Sequence, residues 1–253
     1  MESLSLGVIG QSRKPNEYRL PLHPGHLDRI DPAVRERTFL EVGYGERFGV
    51  SDDRLALMVG GVRSRAQLVA ECDVILLPKP IADDLNALRA GQVLWGWPHC
   101  VQDAAVTQLA VDRRLTLIAW EAMNHWGMDG AYQVHVFHKN NELAGYCSVL
   151  HSMQLIGTTG SYGRRLRAVV ISFGATARGA VMALNALGVS DVTVLTHRDV
   201  SAVASPIHGA QLLQFERDER EPSRSVVLAT SGPRPLAELL AEHDIVVNCV
   251  LGH

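Results

Sequence analysis

No pair of cysteines in this sequence stands at CxxC spacing. The four present, Cys72, Cys100, Cys147 and Cys249, are scattered along the chain. That excludes the short-spaced thiolate motifs of structural zinc and dithiol redox sites, and it reads as free thiols in a cytoplasmic protein. No apolar run of about 18 residues occurs, so no segment is expected to span a membrane. The opening residues, MESLSLGVIGQSRK, have too short an apolar core and misplaced charges for a secretory signal. Basic excess is absent too: 24 Lys and Arg against 27 Asp and Glu leave a net charge of −3, which gives no electrostatic footprint for nucleic acid. Internal repeats and low-complexity tracts are also missing. What remains is ordinary globular material, 47% hydrophobic and 20% charged over 253 residues, enough for two α/β domains or one large one.

The chain alternates short apolar runs with helical stretches. Leu4–Ile9, Phe39–Val42, Val74–Leu77, Gln92–Trp97 and Leu115–Trp120 read as strands. Helical spacing lies between them, as at Asp83–Arg89 and Ala104–Asp112, and this order predicts a parallel sheet with helices on its faces. Residues 122–139 show no clean period. From Asn141 to Ile156 apolar residues return to helical spacing, and the Gly/Ser/Thr-rich 157–165 reads as a linker. Ser201–Arg224 is polar and reads as a solvated, irregular excursion, followed by a helix at Leu236–Ala241 and a strand in DIVVNCV. The expected organisation is a substrate domain over 1–139, a connecting helix and linker over 140–165, and a dinucleotide-binding domain over 166–253. The fold class is α/β, with two Rossmann-like domains built on parallel sheets.

The second domain centres on AVVISFGATARGAVMALNAL, a strand, a tight turn and a small-residue helix, with the strand VTVL behind them. Against the dinucleotide fingerprint G-x-G-x-x-G/A, the positions are Ser172, Gly174 and Ala177. The middle glycine, where backbone must approach a pyrophosphate, is present. Alanine at the third position is tolerated, and serine at the first is a departure. The segment Ser172, Gly174, Ala175, Thr176, Ala177 is therefore the candidate pyrophosphate cradle; the bland alternative is a plain βαβ crossover. At the end of the next strand stand Thr196, His197 and Arg198 where NAD enzymes carry an acidic residue. A hydroxyl, an imidazole and a guanidinium suit a 2′-phosphate, which favours NADP, with NAD possible.

Four polar residues follow predicted strands of the first domain: Arg19, Lys79, His99 and Glu121. C-terminal strand ends form the ligand crevice of an open parallel sheet, so these four are candidates to converge. Arg19 and Lys79 could hold a carboxylate and a keto oxygen, and His99 could pass a proton to that oxygen. Taken singly, each reads more readily as a surface loop residue or half of an ion pair, and it is their equivalent positions that point to a site. A metal site from His135, His138, His151 and Cys147 is a weaker candidate, because no partner lies at ligand spacing; no metal is expected.

In this order, NEYRLPLHPGHL, LLPKP, LWGWPHC, LIAWE and NELAG resemble the alanine dehydrogenase and pyridine-nucleotide transhydrogenase superfamily over essentially the whole chain. Within it, FHKNNELAGYCSVLH, SFGATARGA and DIVVNCVL resemble the N5-(carboxyethyl)ornithine synthase branch. The resemblance implies pyruvate binding by Arg19 and Lys79, acid/base work by His99, and an NAD(P)-dependent reductive amination in a homo-oligomer acting on small molecules. The amine would be ammonia in one branch and an amino-acid side chain in the other, with Glu121, Asn124 or Asn141 as candidates to meet it. In that superfamily the nucleotide domain continues beyond the NCVL-like strand and supplies an aspartate there. The expectation is accordingly a partial nucleotide domain, and a 253-residue chain inactive or nearly so by itself.

Overall fold

The computed structural model describes residues 4–197, 207–218, 220–229 and 232–250. Two compact units divide the chain after Asn124.

In the first unit, β1 (Leu6–Val8) leads through a long loop and a 3-10 turn at Pro24–Arg29 to α1 (Pro32–Arg35) and β2 (Thr38–Glu41). Then come α2 (Asp52–Ala56), β3 (Gly61–Arg63), α3 (Arg65–Glu71), β4 (Val74–Leu76) and α4 (Ala82–Ala87). The unit finishes with β5 (Val93–Gly96), α5 (Ala104–Asp112) and β6 (Thr116–Ala119). All six strands run parallel in the order β3-β2-β1-β4-β5-β6. This is the doubly wound order whose direction of winding reverses between β1 and β4, and ligands bind outside the strand ends at such a reversal. Local sequence explains the helix starts. Ser64 and Gln67 form a reciprocal capping box on α3, and Ser51 and Asp103 cap α2 and α5. Leu68, Ile75, Leu77, Leu85 and Leu94 fill the core between sheet and helices. Each such side chain contributes about 1.5–3 kcal/mol by leaving water.

A hairpin of β7 (Asn124–Trp126), which begins at the last residue of the first unit, and β8 (Tyr132–His135) leads to the 19-residue α6 (His138–Ile156) of the second unit. Gly157, in the left-handed conformation at φ 65°, ends that helix. Next are β9 (Arg167–Ile171), α7 (Ala175–Ala186), β10 (Asp191–Thr196), β11 (Gln211–Glu216), β12 (Val226–Ala229), β13 (Gly232–Pro235), α8 (Leu236–Ala241) and β14 (Ile245–Asn248). The sheet order is β13-β12-β11-β10-β9-β14. Strands β11, β10, β9 and β14 are parallel, while β12 and β13 add antiparallel strands at one edge. The parallel part has the winding reversal of the first unit, here between β9 and β14.

Sequence periodicity placed the buried parallel strands β1, β2, β4, β5, β6, β9, β10 and β14 within a few residues. It missed β3, the β7–β8 hairpin and β11 to β13, and the excursion expected at Ser201–Arg224 contains β11. In QLLQFE the apolar Leu212, Leu213 and Phe215 sit against a dense charge run, and three apolar residues are too few to outweigh it. The second sheet is therefore mixed where an all-parallel one was expected. Residues 198–206 and the chain end at His253 fall outside the described residues.

Helices α6 and α7 pack unusually closely. A Cβ on Gly179 would stand 1.7 Å from Glu142 O, and one on Gly145 would stand 1.9 Å from Thr176 O. Two glycines facing opposite backbones are what permits this approach. Val149, Met153, Ala177, Val181 and Leu184 fill the core beneath.

Candidate functional site

Strand pairing in the first unit runs past the formal strand ends, and that fixes where the polar groups go. Leu77 N–H donates to Trp95 O at 3.0 Å, and Trp97 N–H donates to Pro78 O at 2.9 Å. Gly96 makes this possible, because a Cβ there would lie 1.9 Å from Leu77 O. Lys79 and His99 are the next residues out on neighbouring strands, and Lys79 Nζ is in direct hydrogen-bond contact with His99 Nε2. His99 itself has φ 51°, a left-handed backbone that imidazole-bearing residues tolerate better than most. Its N–H donates to Glu121 Oε1 at 2.7 Å. Glu121 Oε2 is buried and has no hydrogen-bond partner.

The loop after β1 is tied down at several points. Ser12 Oγ donates to Lys79 O at 2.8 Å, and the Lys14 N–H donates to Ser12 Oγ at 3.1 Å. Glu41 accepts the Gly10 N–H at 2.9 Å and is itself held by Arg65 Nε at 2.7 Å. Tyr44 OH donates to Leu22 O at 2.7 Å and accepts from Leu22 N–H at 3.0 Å. Burial pushes the Tyr44 phenol well above its ordinary range. Between these ties stands Arg19, whose Nε and Nη2 donate to Glu17 Oε1 and Oε2 at 2.8 and 2.5 Å. Its guanidinium carbon lies 4.8 Å from the Trp97 ring centroid, and Lys79 Nζ lies 5.5 Å from the same centroid. Trp97 in turn stands edge-on to Trp120 at 4.5 Å. Two cations are thus gathered at one indole, which attracts both by its ring quadrupole.

Burial first, and neighbouring positive charge second, set the titration. Burial pulls the Lys79 ammonium below its usual range, with Lys14 and Arg19 adding to the effect. Burial likewise lowers His99, and Lys79 lowers it further. The protonated forms of both Lys79 and His99 are thus disfavoured, and the two groups share one proton site across their contact.

All four residues singled out in the sequence lie in this unit, and Lys79, His99 and Glu121 are directly linked. Arg19 joins them through Trp97. Sequence reasoning missed Trp97 and Glu17. Glu17 lies two residues before Arg19 within NEYR, and Trp97 lies within LWGWPHC, so both were inside the motifs without a stated task. Asn124 ends the first unit, and Asn141 lies on α6 in the second.

In the second unit the turn Ser172-Phe173-Gly174 leads straight into α7. Ser172 has φ 111°, the region glycine occupies freely, and its Oγ accepts from Gly174 N–H at 3.2 Å. A Cβ on Gly174 would meet nothing nearer than that hydroxyl at 3.7 Å, so the space over the turn is open to an approaching group. No side chain caps α7, which leaves the first-turn amides of Ala175, Thr176 and Ala177 without a side-chain acceptor. Open space and uncapped amides fit a pyrophosphate. Ala177 is fully buried and serves packing beneath the turn. Thr196, at the end of β10, is also buried, while the exposed His197 stacks on Phe215 with ring centroids 3.8 Å apart. Arg198 lies outside the described residues.

Among the described residues, no group of three or more His, Cys, Asp or Glu side chains is placed to hold a metal ion. Nor is any helix long and apolar enough to cross a membrane. The His135 Nδ1 accepts from the Phe137 N–H at 3.1 Å, His138 Nδ1 faces His135 O at 3.2 Å, and Cys147 and His151 lie exposed on α6.

Comparison with known proteins agrees with this architecture. The N5-(carboxyethyl)ornithine synthase of Clostridium botulinum is 22% identical over 181 residues, covering 68% of this chain and 55% of that protein. An alanine dehydrogenase of Mycobacterium tuberculosis is 28% identical over 199 residues, covering 74% of this chain and 52% of that protein. The chain thus spans about half the length of the curated relatives it matches. Among solved structures, a transhydrogenase from Sinorhizobium meliloti superposes with TM-score 0.65 at 19% identity, covering 98% of this chain and 70% of that one. An L-alanine dehydrogenase superposes with TM-score 0.61 at 19% identity, covering 83% of this chain and 60% of that one; at such identities the likeness is one of fold. The family model for the alanine dehydrogenase/PNT N-terminal domain matches residues 8–144, and the chain belongs to that family.

Proposed function

We propose that this protein takes part in an NAD(P)-dependent reductive amination of a 2-oxo acid of the pyruvate class. The observation that carries the reading is the Lys79–His99 contact beside Trp97, with Arg19 at the same indole. In this reading Arg19 holds the carboxylate of the oxo acid, and Lys79 Nζ donates to its keto oxygen. An amine attacks the carbonyl carbon, and the Lys79–His99 pair delivers the proton with which that oxygen leaves as water. The buried, unpartnered Glu121 Oε2 offers an acceptor for an N–H of the incoming amine. A bound nicotinamide would supply hydride for reduction of the C=N bond. Residues 1–139 serve the substrate, 140–165 connect, and 166–253 serve the dinucleotide. There the Ser172–Ala177 turn and first helical turn would hold the pyrophosphate, and Thr196, His197 and Arg198 would lie toward the adenosine ribose. The Thr196 hydroxyl and His197 imidazole at the β10 end, with the Arg198 guanidinium next in sequence, favour NADPH over NADH. A homo-oligomer acting on small molecules completes the reading.

The alanine dehydrogenase relatives favour ammonia as the amine, and the N5-(carboxyethyl)ornithine synthase relative favours an amino-acid side chain. Pyruvate binding tests the core of the proposal. Titration followed by tryptophan fluorescence should show saturation with the wild-type chain, and Arg19→Ala should weaken it by about tenfold or more, the loss of a charged hydrogen-bonded contact. Equal affinity of the variant would remove the oxo acid from this site.

A further inference from the structure

Beside the Lys79–His99 site, at the C-terminal ends of β1 and β2, lies a cavity of about 350 Å³ walled by Glu17, Tyr18, Glu41, Tyr44, Glu46 and Arg47. Its volume falls within the range of small-molecule sites, about 300–1,000 Å³. Its charged groups divide into two kinds. Glu41 is saturated by Arg65 and by the Gly10 and Gln11 amides. Glu17 is committed to Arg19. The other two are available. Arg47 uses one N–H on Tyr18 O at 2.5 Å and stacks on the Tyr18 ring at 5.6 Å, so the rest of its five donors have no acceptor among the described residues. The Glu46 carboxylate makes no hydrogen bond or ion pair with any described side chain, and although adjacent in sequence the two do not pair with each other. A guanidinium and a carboxylate, both unspent and side by side at one cavity, match the carboxylate and ammonium of an α-amino acid.

The wall shared with the oxo-acid site is Glu17. Hydrogen bonds from Arg19 hold its carboxyl below the usual range, and Lys79 is near enough to act in the same direction. Glu17 thus lines this cavity and at the same time holds Arg19 of the oxo-acid site.

We infer that this cavity is the subsite for the amine substrate, and that the substrate is an α-amino acid bearing a terminal side-chain amine. Its α-carboxylate binds Arg47, its α-ammonium binds Glu46, and its side chain passes Glu17 toward Lys79. This rests on the reductive-amination reading above and narrows it, because ammonia has no use for such anchors.

Calorimetric titration of the full chain with three probes tests the inference: L-ornithine, L-norvaline (the same head group without the terminal amine) and n-butylamine (an amine without the head group). Ornithine and norvaline are expected to bind, and butylamine to bind at least about tenfold more weakly, a difference of about 1.4 kcal/mol. Glu46→Gln and Arg47→Gln should each cost ornithine about tenfold. Arg47 also steadies Tyr18, so its replacement loosens the loop; the Glu46 side chain holds none of the described residues, and its variant keeps the test clean. Butylamine binding as tightly as ornithine, no ornithine binding, or unchanged affinity in Glu46→Gln would overturn the subsite. A parallel pyruvate titration separates the two claims. Ornithine bound without pyruvate would defeat the oxo-acid reading and leave the cavity, whereas pyruvate bound without ornithine would defeat the cavity alone.

Discussion

Lys79 and His99 face each other as two bases whose protonated forms are both disfavoured, and the consequence for pH has a definite sign. His99 titrates below its ordinary value of 6.5 in the folded chain because of burial first and Lys79 second. The unfolded chain therefore takes up this proton more readily. Stability from this group is intact above pH 6.5, falls as the pH drops through that value, and is fully lost below the folded value. Removing the neighbouring charge with Lys79→Met should move His99 upward toward 6.5, as read from the titration of its imidazole proton resonances. A resonance that titrates at the same pH in both proteins would mean that Lys79 does not act on it. Tyr44 offers a second test. Tyr44→Phe leaves the Leu22 N–H and C=O without their shared phenol, which should cost about 1–3 kcal/mol in denaturant unfolding. Because Leu22 ends the loop that carries Arg19, pyruvate affinity should fall as well.

Among the elements, the glycines and one serine carry the sharpest expectations. Gly145→Ala or Gly179→Ala places a methyl less than 2 Å from the backbone of the opposite helix, so α6 and α7 must part. Each should lose about 1–3 kcal/mol or more, visible as a lowered melting temperature; a neutral result would mean that the helices can separate freely. Ser172 sits at φ 111°, a conformation that strains any residue with a Cβ. Ser172→Gly should exceed Ser172→Ala in stability by about 1 kcal/mol, since both lose the hydroxyl and only glycine relieves the backbone. These positions also show what could be read before any coordinates. The strands after which Arg19, Lys79, His99 and Glu121 fall were legible because buried parallel strands are near-continuous apolar runs. Edge strands such as β3 and β13 were not, because Gly61–Arg63 and Gly232–Pro235 have too few apolar residues to give a period. The roles of Glu17, Trp97 and Glu41 were invisible for another reason: each depends on a partner between 2 and 78 residues away, and spacing along the chain says nothing about that.

At the scale of the whole molecule, the two units repeat one device, a parallel sheet whose winding reverses beside its first strand. In each, the candidate ligand-binding loop follows that strand: the loop bearing Arg19 after β1, and the Ser172–Gly174 turn after β9. The division of labour makes a prediction. Arg19→Ala should weaken pyruvate binding by about tenfold or more and leave NADPH affinity unchanged in a fluorescence titration, while a bulky Gly174→Val should weaken NADPH binding and spare pyruvate. Simultaneous loss of both in either variant would deny that the two functions are housed separately. The left-handed backbone at His99 has a further consequence for any survey of tolerated mutations. In a library scored only for the amount of folded protein, Arg19 and Lys79 should accept many replacements, whereas position 99 should reject β-branched residues and keep glycine and asparagine. Abundance and activity maps that disagree at Arg19 and Lys79 but partly agree at His99 would separate groups present for chemistry from one whose backbone also constrains its identity.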